Sequence, residues 1–152
     1  MEDSSPIEAL RLEEVFQQAR GNAGAFPLVL LAYARDQGRP LAEAVAFVGH
    51  AFAPGWEEDR GQGAAAAMRW VALNLASSGA EVQGLAGDAA RAEVTVMGWP
   101  AAEDLAAFGL SRDEGDTFYG VFEPIAEHLG LRYAWRRDGE AVVLALADDE
   151  AP

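Results

Sequence analysis

Near residue 80 the spacing of apolar residues changes from the helical period of about 3.6 to the strand period of 2, and this change decides the fold class. Upstream, Ala64, Ala67, Met68, Val71 and Leu75 recur on one helical stripe; downstream, Ala92, Val94 and Val96 alternate with Glu93 and Thr95. A chain patterned this way has to bury the face of a sheet against helices, so the reading is an α+β domain. It consists of a helical half over residues 1–79, a sheet-containing half over 80–147 and a frayed tail over 148–152.

The helical half is expected to hold about four helices. Ser5-Pro6-Ile7-Glu8 has the residues of a capped helix start, and Leu12, Val15, Phe16 and Ala19 follow as its apolar stripe. A second helix, Phe26 to Gln37, begins near Pro27 and is apolar around most of its circumference, which predicts a central position enclosed by other elements. Pro40 opens a third with the stripe Leu41, Ala44, Val45, Val48 and Phe52, and the polar stretch PGWEEDRGQG, residues 54–63, reads as a mobile loop carrying Trp56. The fourth runs from Ala64 to about Ser77.

The second half reads β-β-α-α-β-β with a four-stranded antiparallel sheet. Ala80 to Leu85 is a weak strand and Ala86-Gly87-Asp88 a turn before the clearer strand at Ala92 to Val96. Pro100 to Phe108 is a short helix stopped by Gly109. A longer one starts at the capping box Ser111 and Glu114, carries Phe118, Val121, Phe122, Ile125 and Leu129 on one stripe, and should kink at Pro124, whose missing amide faces the Gly120 carbonyl. In the closing hairpin a type I′ turn at Asp138-Gly139 pairs Arg137 with Glu140, Trp135 with Val142, and Tyr133 with Leu144.

The second-half stretches VTVMGWPAAEDLAAFGL and FEPIAEHLGLRYAWRRDGE, within about Ala80 to Leu146, resemble the small α+β group that includes the L-2-amino-thiazoline-4-carboxylate hydrolases and the vinyl-reductase-like ligand-binding domains. In that group the strand typically ends in a Cys-Pro pair, with further cysteines on the long helix and last strand. Here Trp99 precedes Pro100 and the chain has no cysteine. The resemblance therefore implies a scaffold with a hollow between sheet and helices, closed on one side by Trp99 and roofed by the helix that Pro100 begins, without cysteine-dependent catalysis or metal binding.

Composition narrows the function further. Formal net charge is −14, and all eleven basic residues are arginine. Such a field repels phosphate backbones and anionic lipid, which argues against nucleic acid and membrane partners. The acidic start Met1-Glu2-Asp3-Ser4-Ser5 lacks a signal-peptide pattern, so a cytoplasmic location is expected. Serine hydrolase and phosphate-loop signatures are absent, and His50 and His128 do not have zinc-ligand spacing.

What remains is a set of aromatics that the architecture should bring together: Trp70, Trp99, Phe118, Tyr119, Phe122, Tyr133 and Trp135, with Arg69 as counter-charge for an acidic ligand. The first expectation is a small-molecule-binding module for an apolar or aromatic, even acidic, ligand, dimeric through its helical half; no cofactor is indicated. The alternative is a hydrolase-like enzyme in which the kink turns Glu123 inward toward Tyr119, where burial would raise its pKa and make it a base assisted by Tyr119 or His128. A third is an acidic domain that binds a basic protein.

Overall fold

The computed structural model describes residues 10–150. Three α-helices and a 3-10 helix come first: α1 (Leu12–Asp36), α2 (Leu41–Phe52), the 3-10 helix Ala53–Asp59 and α3 (Ala64–Ser77). Then follow β1 (Glu81–Gly87), β2 (Arg91–Met97), α4 (Ala102–Phe108), α5 (Arg112–Asp116), a second 3-10 helix (Thr117–Val121), α6 (Phe122–Leu129), β3 (Leu131–Asp138) and β4 (Ala141–Asp148). The four strands form one antiparallel sheet in the order β1-β2-β4-β3. The α+β class and the order of elements agree with the sequence reading.

The alternation in β2 and β4 puts Val94, Val96, Val142, Leu144 and Leu146 on one face, where all are buried. Helix α3 packs over β1, β2 and β4, and α6 over β3. The whole stripe Ala64, Ala67, Met68, Val71 and Leu75 is buried, as its spacing predicts. Helices α1 and α2 pack on each other; α1 also contacts α3 and α4, and α2 contacts α6 and the second 3-10 helix.

Several expectations need correction. The helix start at Ser5 lies outside the described residues; the observed helix begins at Leu12 and runs unbroken through Pro27, so the two predicted helices are one. It is not central. Gly24, Leu28, Leu31 and Ala34 are buried, while Phe26, Val29 and Tyr33 face solvent, and Phe52 on α2 is also exposed. Most of the stretch read as a mobile loop, up to Asp59, belongs to the 3-10 helix, with Ala53 buried and Trp56 half-buried against the core while Glu57 and Glu58 stay in water. Helix α4 begins at Ala102, two residues beyond Pro100.

Before Pro124 the helix changes type rather than simply kinking. The capping box at Ser111 and Glu114 is formed, but the expected helix divides into α5, the 3-10 turn and α6. In the hairpin Asp138 pairs with Ala141, Trp135 with Leu144 and Tyr133 with Leu146, two residues from the predicted register. Gly139, at φ +60°, begins a two-residue Gly139-Glu140 turn, and among the described residues no non-glycine residue adopts positive φ. The predicted turn would have required a left-handed Asp138. A two-residue shift preserves the faces, so Tyr133 and Trp135 still point to the core side. Asp148, assigned to the frayed tail, ends β4 opposite Leu131.

Candidate functional site

The polypeptide leaves β2 through Gly98 and buries Trp99 and Pro100, joined by a cis peptide bond. The Trp99 ring meets Phe118 edge-on at 5.9 Å and Tyr119 at 5.4 Å between centroids. Tyr119 lies 5.5 Å from Trp135, and Phe122 lies 6.1 Å from Tyr133. Six of the predicted aromatics thus form one layer, which the 3-10 turn, α6 and β3 assemble by presenting consecutive inward positions. Edge-on pairs of this kind add attraction beyond the area they bury.

The polar ends of this layer are joined in sequence. Tyr133 donates its hydroxyl to the Tyr119 carbonyl at 2.6 Å, Tyr119 donates to the Trp99 carbonyl at 2.6 Å, and Trp99 Nε1 donates to the Gly24 carbonyl at 3.0 Å. Burial drives the pKa of Tyr119 well above the ordinary tyrosine value, with Asp116 adding to the effect, and burial does the same at Tyr133. Both phenols are therefore held protonated, as structural donors.

Above the layer lies an open hollow of about 220 Å³. Trp99, Phe118, Tyr119 and Phe122 form its floor; Pro27 of α1, Val48 and Phe52 of α2, Trp56, and Leu75 of α3 form its walls. Its lining includes two polar side chains, Asn74 and Ser78, which donate along α3 to the Trp70 and Asn74 carbonyls. The hollow lies among helices, with no strand residue in its lining, so its expected place between sheet and helices is corrected. Of the residues that line it, only Trp99, Phe118, Tyr119 and Phe122 were foreseen as site residues; the walls and both polar side chains, Asn74 and Ser78, were not. The spacing of Ala53 and Trp56, three apart in an otherwise charged stretch, was the available signal for one wall.

Other sequence-predicted site residues lie elsewhere. Trp70 and Arg69 are exposed on the outer face of α3, with the guanidinium 5.9 Å from the indole ring, so Arg69 offers no counter-charge inside the hollow. Trp135 and Tyr133 lie behind the floor. Glu123 is exposed and borders a separate groove with His50 and Glu127, so the inward turn expected from the bend is not met. Its carboxylate lacks the burial that the role of base required. His128 Nε2 lies 2.6 Å from Glu57 Oε2, a close contact outside hydrogen-bond geometry that brings α6 against the first 3-10 helix. The residues suggested as catalytic, Tyr119, Glu123 and His128, share no common hollow.

The sequence reading missed Asp116, the one charged residue buried among those described. Asp116 accepts two hydrogen bonds from Arg137, from Nε and, at 2.7 Å, from Nη2. This hydrogen-bonded pairing, reinforced by the Asp116 charge and opposed by partial burial, raises the Arg137 pKa further. Next to it Arg112 donates to the Pro100 carbonyl at 2.6 Å. These contacts clamp α5 and the turn after β2 to the end of β3, beneath the aromatic layer. Among the described residues no group of three or more metal-ligating side chains is clustered, and no helix is long and apolar enough to cross a membrane. No family model, curated protein or solved structure matches the chain.

Proposed function

We propose that the protein binds a small, neutral, largely apolar molecule in the hollow over Trp99, Phe118, Tyr119 and Phe122. The observation that carries this reading is an open space of about 220 Å³ with aromatic rings as its floor and no charged side chain in its lining. Apolar cavities of roughly 150 Å³ can accept benzene, so a one- or two-ring aromatic is the matching size. The oxygens of Asn74 and Ser78 have acceptor capacity beyond the bonds they donate, which favours a ligand with one O–H or N–H at the α3 side. Phenols and indoles have this chemistry. The carboxylate-dependent hydrolase and the acidic interaction domain rest on no comparable observation.

Calorimetric titration with phenol, indole and 2-naphthol, alongside the Val48→Phe variant, tests the reading. Val48 is half-buried at the wall, and the larger ring would occupy the hollow without replacing a floor residue. The expected result is saturable binding to the native chain and at least a tenfold loss in the variant. Equal binding by both proteins, or none of the three ligands binding, overturns the proposal.

A further inference from the structure

Helix α1 carries a second apolar stripe opposite the one that faces its own domain. Leu12, Ala19, Phe26 and Tyr33 recur every seventh residue, and Val15, Asn22 and Val29 fall between them at the same interval. All seven are exposed, Leu12 at 85%, Phe26 at 67% and Tyr33 at 63%. The buried residues Gly24, Leu28, Leu31 and Ala34 occupy the other side of the cylinder. Alternating spacings of three and four over 22 positions are the seam of a coiled coil, and a lone Asn within such a seam commonly sets register.

Two further observations identify the occupant. Every residue from Leu12 to Ala19 is exposed, so these two turns project without cover from their own domain, whereas isolated helices of such length are marginal in water. In a chain of net charge −14, the only charged residues between Leu12 and Tyr33 are Glu13, Glu14 and Arg20, all outside the seam and the positions flanking it. A second copy can approach along this line without bringing like charges into contact. From their exposure, the six large apolar side chains from Leu12 to Tyr33, Phe16 included, offer about 600 Å² per copy, or ~1,200 Å² in a symmetric pair, the lower bound for a specific interface.

We infer that the chain forms a homodimer in which the α1 helices pack against each other through Leu12, Val15, Ala19, Asn22, Phe26, Val29 and Tyr33. Association of two copies of −14 charge is opposed by their general repulsion, so the dimer tightens as salt rises and the Debye length falls from about 30 Å at 0.01 M to about 10 Å at 0.1 M. A basic protein docked on the same surface would instead be weakened by salt.

Sedimentation equilibrium of the full chain, repeated across that salt range, reads the mass directly. The expected species is twice the 16.1 kDa chain, and Phe26→Glu should raise its dissociation constant at least ~30-fold while leaving the circular dichroism unchanged. Because the chain is free of cysteine, a single Asn22→Cys substitution supplies an independent readout. Asn22 lies near the middle of the stripe and meets its own copy whether the helices run parallel or antiparallel, so mild oxidation should link the two chains. Gln17→Cys, on another face of α1, should remain unlinked. A monomer throughout, a dimer that salt weakens, or equal crosslinking of the two cysteine variants overturns the inference.

Discussion

Asp116 and Arg137 lie 21 residues apart and meet only because the chain reverses through α6 and β3. Nothing in the sequence around either residue marks the pair. Asp116 is the only charged residue buried among those described, and removing one partner of such a pair leaves an uncompensated charge. Because the Arg137 left behind is only partly buried, Asp116→Asn should lower unfolding free energy by about 1.5–3 kcal/mol in urea titrations, with the hairpin still able to form. The aromatic layer was more legible, because large rings at inward positions of adjoining elements have few places to go. Its donor chain was not, since the acceptors are backbone carbonyls. Tyr119 and Tyr133 ionise near pH 10 when unfolded but well above it when folded. Above pH 10 the unfolded chain therefore releases protons that the folded chain keeps, so their contribution is complete below pH 10 and is lost as pH rises further. Urea midpoints should fall steeply from pH 10 to 11, and the fall should be shallower in a Tyr119→Phe, Tyr133→Phe double variant.

At the scale of elements, the instructive case is α1. Pro27 by itself favours a helix start over a helix interior, and packing overrode that preference. A continuous helix buries Gly24 and Leu28 on either side of Pro27, outweighing the hydrogen bond that Pro27 cannot donate. A methyl group at Gly24 would sit 2.4 Å from the Ser78 carbonyl oxygen, whereas one at Gly21 would meet open space. Gly24→Ala should thus destabilise by about 1–3 kcal/mol through overpacking against α3. Gly21→Ala should stabilise by ~0.5–1 kcal/mol through helix propensity, and chemical denaturation of the pair separates the two effects. Helix α3 was legible because the stripe Ala64, Ala67, Met68, Val71 and Leu75 keeps one helical period up to the Ser78-Gly79 stop. The hairpin was legible in its faces and not in its register, since the glycine could be the first or second residue of the turn.

Over the whole molecule, the period change near residue 80 revealed the class and element order, but periodicity says nothing about which strands become neighbours. The order β1-β2-β4-β3 arises when the closing hairpin pairs β4 with β2, leaving β1 and β3 as edges. The hollow was unreadable for a similar reason: its walls come from α1, α2, the first 3-10 helix and α3, and its existence depends on how those elements stand apart. The apolar circumference of α1 was read as enclosure by one domain, although half of it is left outside.

The donor chain from Tyr133 through Tyr119 and Trp99 to Gly24 crosses four elements distant in sequence. Opening any one link strands a buried donor and acceptor, so none of these elements can fray alone without exposing its neighbours' polar atoms to an apolar interior. They should behave as a single foldon. In native-state hydrogen exchange, amides of Leu28 to Ala34, of the turn at Tyr119 and of β3 near Tyr133 should share one opening free energy, and Tyr119→Phe should split them into separately exchanging groups. Any molecule seated on Trp99 and Tyr119 rests on the middle of that unit, so its arrival would register as slowed exchange in strands and helices it never touches.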